Sequence, residues 1–259
     1  MHPLPMKRRA VVTLILLCAV SAAAQEFDAR ADRELVQLVN QERARAGLPA
    51  LETDARLTEA ARRHAVLLAE HRGLSHRFAG EAPLRNRIAA TGLRFNRVGE
   101  NVASDSEGAQ AAHLGLMHSP PHRANILHPD YNRIGVGAIW KDGVLYVAQD
   151  FVHAFPDMTA EEIEAAIAGQ LGRKGNAHDP RLRQAACERG RDPDLGPSAL
   201  FKTFPQARRA MFFSLEETRQ LPGGVDEYKN APGTYVLGAC FVKSKELPQG
   251  IFWVALVFE

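Results

Sequence analysis

The chain of 259 residues carries 32 Lys+Arg against 30 Asp+Glu, a formal charge of +2, with 10 His and 3 Cys. So even a balance gives no electrostatic reason to expect nucleic-acid binding. Beyond the N-terminal segment no apolar run reaches the roughly 20 residues a helical membrane span requires, and the length suffices for two small domains or one large one.

Residues 1–24 read as a targeting segment. Lys7, Arg8 and Arg9 make a basic start, Ala10 to Val20 is apolar but too short for a span, and Ser21-Ala22-Ala23-Ala24 offers small residues for cleavage before Gln25. Leu17 is too large a neighbour for Cys18 to serve as a lipid-attachment site. Cleavage takes away three basic side chains and no acidic one, leaving a formal charge of −1. The expected destination is periplasmic or secreted, with no membrane span after processing. In an oxidising compartment Cys187 and Cys240, which remain, are expected to pair. Such a bridge is worth about 4 kcal/mol on the loop-entropy estimate.

An amphipathic helix is expected over 32–47, with Leu35, Val36, Leu38 and Val39 on one face, Glu42, Arg43 and Arg45 outside, and Gly47 then Pro49 closing it. A second runs over 54–71, with Leu57, Ala60, Ala61, Ala65 and Leu68 apolar, and stops at Gly73. A shorter one follows over 83–91, and a fourth over 106–118 is broken by Pro120-Pro121. Two β-prone runs, 134–140 and 144–151, flank the hairpin signal Lys141-Asp142-Gly143. Thr159 and Glu162 form a capping box for a helix to Leu171, and Gly172, Gly175, Asn176 and Pro180 suggest a linker. Helical stretches are expected around 181–189 and 205–213, then a strand pair over 235–242 and 251–258. The organisation is a first domain over 25–156, a helix and linker over 157–178, and a smaller α+β domain over 179–259. Its aromatic residues, Phe204, Phe213, Phe252 and Trp253 among them, belong in a core, because so small a domain must bury most of its large apolar groups.

The two hairpins look alike. Gly137-Ala138 parallels Gly238-Ala239, and the run from Gly143 to Ala148 parallels that from Gly250 to Ala255. Either the second is a shortened, diverged duplicate of the first domain's last strands, or two apolar hairpins merely resemble each other.

Nine of the ten histidines precede residue 154, so imidazole chemistry is expected in the first domain. His64 and His71 lie in the second helix, where packing or solvation is the ordinary role. His76 stands in the loop Leu74-Ser75-His76-Arg77-Phe78, where polar side chains need not enter a core. Gly99-Glu100-Asn101 sets a carboxylate beside a glycine that permits a sharp turn. Ser119-Pro120-Pro121-His122 ends a helix and leaves a histidine in the loop beyond. His118 and His122 have the spacing of two ligands on one helix face, but the intervening prolines and the lack of a suitably placed glutamate argue against a zincin.

In this order, Leu38-Val39-Asn40-Gln41-Glu42-Arg43, Gly47-Leu48-Pro49, Ser75-His76, Gly99-Glu100-Asn101-Val102-Ala103, Ser119-Pro120-Pro121-His122-Arg123-Ala124-Asn125-Ile126-Leu127, Ile134-Gly135-Val136-Gly137 and Gln149-Asp150-Phe151 resemble the CAP superfamily in its disulfide-free bacterial branch. The resemblance covers about 120 residues, ends near Phe155, and is silent on the C-terminal hundred. It implies an α+β fold, a three-layer α-β-α sandwich around an antiparallel sheet. It also implies a cleft with two histidines, matched by His76 and His122, and a first acid, matched by Glu100. The second acid falls near Ser119. Leu116 stands where the family has tryptophan, and Pro120-Pro121 where it has Pro-Gly.

Two imidazoles and a carboxylate are suited to a divalent ion, Zn²⁺ first, with Ser119 and Asn101 as candidate ligand contacts. The same trio suits acid–base work, with Glu100 orienting an imidazole. Three functions follow: an extracytoplasmic module binding a metal or an extended lipid or cell-wall glycan ligand, a hydrolase of peptide or peptidoglycan, or an envelope or host interaction protein acting through the C-terminal domain. Fold alone does not choose among them.

Overall fold

The computed structural model describes residues 27–172, 175–216, 221–226, 228 and 233–259. The expected targeting segment, with its cleavage point at Ala24–Gln25, lies outside them. The first unit runs α1 (Ala29–Arg45), β1 (Glu52–Thr53), α2 (Ala55–His71), α3 (Leu84–Ala89), β2 (Phe95–Asp105), α4 (Ala109–His118), α5 (Pro120–Ile126), β3 (Arg133–Lys141) and β4 (Val144–Ala154). Its sheet has the order β1-β3-β4-β2, antiparallel except for the two-residue edge β1.

Alternation along the strands sorts the layers. Val136, Ala138, Val147 and Phe151 face α1, α4 and α5 through Leu35, Val39 and Leu116. On the other face, Val102, Ala148 and Ile139 meet Ala61, Ala65 and Leu68 of α2. Leu57, Ile88, Leu93 and Phe95 extend that layer to α3. This is the three-layer α-β-α sandwich expected from the sequence.

Asp54 caps α2 by accepting from Arg56 N at 2.8 Å. The β3–β4 turn places Asp142 and Gly143 at φ 51° and 78°, the left-handed region that a two-residue hairpin requires.

Three expectations in this unit are corrected. Gly99 is no turn: it sits inside the 11-residue β2. What it provides is proximity, since a Cβ there would collide with the Tyr131 hydroxyl and reach Asn125 Oδ1 at 3.1 Å. His122 is not in a loop but on α5, which the two prolines begin at N1 and N2 rather than prevent. Arg43, assigned to the outside of α1, is fully buried.

The second unit comprises α6 (Ala160–Leu171), β5 (Gly175–Asn176), α7 (Pro180–Arg191), β6 (Arg209–Leu215), β7 (Tyr235–Val242) and β8 (Ile251–Phe258). Thr159 and Glu162 make the expected capping box at α6. The helix expected around 205–213 is corrected: most of it is strand β6, because Phe213 and Leu215 pack into the core at the alternating spacing of a strand. The stretch expected as helix and linker supplies α6, whose Ile163, Ile167 and Leu171 pack into this unit's core, and β5, which pairs with β7.

This unit repeats the first. Its sheet order, β5-β7-β8-β6, is that of β1-β3-β4-β2. In the first, Asp32 of α1 binds Arg62 of α2 at 2.7 Å and accepts Ala138 N at 2.7 Å. In the second, Glu164 of α6 binds Arg183 of α7 at 2.7 Å and accepts Ala239 N at 2.7 Å. Gly137 lies against the Arg62 backbone and Gly238 against that of Arg183. The likeness of the two hairpins therefore extends to both helices and all four strands.

Cys187 of α7 and Cys240 of β7 are joined as expected, Cα–Cα 5.1 Å. By the same alignment they stand where the first unit has Val66 and Ile139, members of one apolar cluster. Arg94 links the units: it donates to Pro156 O at 2.9 Å and Glu216 O at 2.6 Å, with its guanidinium 4.7 Å from the Phe252 ring centre.

Candidate functional site

β2 and β4 run antiparallel with Glu100 opposite Asp150 and Asn101 opposite Gln149. One pair faces the α2 side of the sheet and the other the α5 side. All four are buried, Glu100 at 5% exposure and the rest at 0%. A sheet centre holding four polar side chains demands partners.

Glu100 collects several. Its Oε1 meets His76 Nδ1 at 2.9 Å, and its Oε2 accepts from Arg87 Nη2 at 2.5 Å. Arg87, from α3, also lies 3.1 Å from Glu81 Oε1. Glu81 in turn meets His64 Nδ1 at 2.7 Å and accepts Phe78 N at 3.0 Å. The His64 Nε2 reaches Ser75 O at 2.9 Å and lies 3.7 Å from Glu100 Oε2. This network fixes the 74–81 loop, and with it His76, whose side chain is 60% exposed while that of Glu100 is 1% exposed. A buried carboxylate at Nδ1 leaves the outer nitrogen of His76 toward solvent.

Asp150 finds no donor N–H. Burial, then the charge of Glu100, push its pKa well above the ordinary carboxylate value. A carboxyl whose folded pKa is raised adds stability below its unfolded pKa and loses it as pH climbs toward the folded value. Asp150→Asn, which matches the carboxyl in size without titrating, is therefore expected to flatten the profile. Wild type should lose up to about 1.4 kcal/mol per pH unit relative to the variant above about pH 4. Urea denaturation between pH 4 and 8 measures it, and parallel profiles would refute it.

On the α5 side, Asn101 Nδ2 donates to His122 O at 3.1 Å, and Asn125 Nδ2 donates to Glu100 O at 3.1 Å and Asn101 Oδ1 at 2.9 Å. These bonds dock α5 on β2. Burial, then the charge of His76, lower the His122 pKa, so its imidazole is neutral at neutral pH.

The structure thus joins His76 and Glu100 directly, and His122 is near enough to His76 for their charges to interact. Asn101 is internal and holds α5 rather than facing a ligand. Ser119 is the break between α4 and α5, at φ −93° and ψ 114°, with no side-chain capping bond. His64, read as an ordinary helical histidine, belongs to the network. Glu81, Arg87 and Asp150 were not singled out. Asp150 alone carried a signal, since it lies in the Gln149-Asp150-Phe151 run that marked the resemblance. Among the described residues, no three His, Cys, Asp or Glu side chains are arranged to hold a metal ion.

The second unit has apolar residues at the positions equivalent to this centre. With Gly137 aligned to Gly238, strand register places Ala210 and Val257 where Glu100 and Asp150 stand, and Met211 and Leu256 where Asn101 and Gln149 stand.

The model of the cysteine-rich secretory protein family, CAP, matches residues 36–151. The uncharacterised membrane protein YlbC of Bacillus subtilis is 29% identical over 128 residues, 49% of this chain and 36% of that protein. The uncharacterised protein YkwD of the same organism is 27% identical over 118 residues, 46% of each. The chain therefore matches less than half the length of either relative. A solved extracellular SCP-domain protein from Bacillus anthracis is 27% identical with a TM-score of 0.44, covering 48% of this chain and 40% of that one.

Proposed function

The first unit of this chain belongs to the CAP family, and from that premise we propose that it is an extracytoplasmic binding module whose cleft takes a divalent cation on His76 and His122. The observation that carries the reading is the His76–Glu100 contact, an exposed imidazole tied at Nδ1 to a carboxylate that is itself buried. Metal-binding histidines are commonly oriented by such a bond at the other ring nitrogen. Glu100, read from sequence as a third ligand, is engaged by Arg87 and His76 and acts as the orienting group instead. Bound Zn²⁺ would polarise whatever completes its coordination, water or the polar end of a larger ligand. The Cys187–Cys240 bridge and the basic-then-apolar N-terminus support a site of action outside the cytoplasm.

Isothermal titration of the mature protein with Zn²⁺ tests this. His76→Ala and His122→Ala are each expected to weaken binding at least tenfold, and Glu100→Gln by about ten- to a hundredfold, the range for groups that orient a ligand. Unchanged affinity in both histidine variants, with native thermal melting, would sink the reading.

A further inference from the structure

The two units differ at one buried carboxylate. In the second, Glu164 has a full set of donors: Oε1 accepts Arg183 Nε and Ala239 N, each at 2.7 Å, and Oε2 accepts Arg183 Nη2 at 2.7 Å and His178 Nδ1. A carboxylate offers about four acceptor positions, so none is left over. The His178 ring is delivered from φ 73°, the left-handed region that a β-carbon disfavours.

Asp32, the equivalent carboxylate of the first unit, has the first three of these donors. Oδ1 accepts Ala138 N at 2.7 Å, and Oδ2 accepts Arg62 Nε at 3.0 Å and Arg62 Nη2 at 2.7 Å. Among the described residues no imidazole takes the fourth position. Asp32 and Arg62 instead line a pocket of about 340 Å³, with Val36 and Val136 as apolar wall and Thr53 and Thr58 bringing hydroxyls. Burial raises the Asp32 pKa even beside Arg62, so a further N–H donor would stabilise its charged form. Arg33 also lines the pocket. Two guanidiniums against one carboxylate disfavour a cationic amine and favour a neutral ring.

We propose that this pocket binds a small imidazole-bearing molecule, whose ring takes on Asp32 the place that the His178 ring takes on Glu164. The neutral ring donates one N–H to the carboxylate, packs on Val36 and Val136, and accepts at its second nitrogen from a threonine hydroxyl. The volume lies in the range of small-molecule sites. None of the lining residues belongs to the His76–Glu100 network, so the proposal stands apart from the cation cleft.

The test is a nuclear magnetic resonance titration of the metal-free mature protein at about pH 8, where free imidazole is neutral. Imidazole is expected to give saturable shifts at the amides of Asp32, Thr53 and Thr58. 1-Methylimidazole, which has no N–H, and methylammonium should each bind about tenfold more weakly or worse, the scale of one hydrogen bond to a charged group. Asp32→Asn, and Val36→Phe, which fills the pocket while sparing the ion pair, should weaken imidazole to a similar degree. His178→Gly reopens the matching position on Glu164, and imidazole should raise its melting temperature more than that of wild type. Absence of saturable shifts, equal affinity for 1-methylimidazole, or indifference to Val36→Phe would overturn the assignment. So would failure of imidazole to stabilise His178→Gly, since the second unit is its template.

Discussion

Replacing Arg43 with methionine is expected to cost about 4 kcal/mol of folding stability, the scale for breaking a buried charged network. The guanidinium is fully buried, and it donates to Pro49 O at 2.9 Å, Ile126 O at 3.0 Å, His128 O at 2.8 Å and Tyr131 O at 3.3 Å. Methionine fills much of the volume but leaves these carbonyls without their donor, and an unmet buried acceptor costs about 1–3 kcal/mol. The damage should spread to the segment between α5 and β3, because one side chain ties its carbonyls to α1. Urea denaturation gives the magnitude, and amide hydrogen exchange over 126–131 should show lost protection. A loss below about 1 kcal/mol would mean water replaces the guanidinium.

Gly135→Ala comes second, at about 3 kcal/mol, the upper part of the range for overpacking. Its Cβ would fall on the Leu57 and Thr58 backbone, with Leu57 Cβ at 2.5 Å. A side chain can swing away from an added methyl, whereas helix backbone cannot, so α2 must lift from β3. α2 carries His64, which braces the His76 loop through Glu81, so Zn²⁺ binding should weaken along with thermal stability. A melting temperature within 1 °C of wild type would show that α2 has slack. For a domain of this size about 1 kcal/mol moves the midpoint by a few degrees.

The elements of the first unit were largely legible because each helix face and strand has a clear period. Leu35 and Val39, or Val136 and Ala138, declare their side without a partner being known. Arg43 was misplaced because a charged residue on a helix normally points outward, and only the loop carbonyls at 126–131 explain its burial. Glu100 with Asp150 and Arg87 with Glu81 could not be paired for a similar reason. Strand register sets the first pair and the packing of α3 sets the second, and neither leaves a local pattern. β6 looked helical because Ala207, Arg208, Arg209 and Ala210 are good helix formers. Burial of Phe213 and Leu215 beside β8 decided otherwise.

The second unit shows what the polar cleft costs. At four equivalent sheet positions it holds Ala210, Met211, Leu256 and Val257, whereas the first unit keeps an acid pair and an amide pair with Gln149 Nε2 left unpartnered. Buried polar groups without partners cost stability relative to apolar side chains of similar shape. Grafting the apolar quartet onto the first unit should therefore raise its melting temperature while removing the carboxylate that orients His76, so the proposed Zn²⁺ binding should fall with it. The molecule thus sets, side by side, a sheet that keeps four buried polar side chains and a sheet of the same topology with apolar ones at those positions.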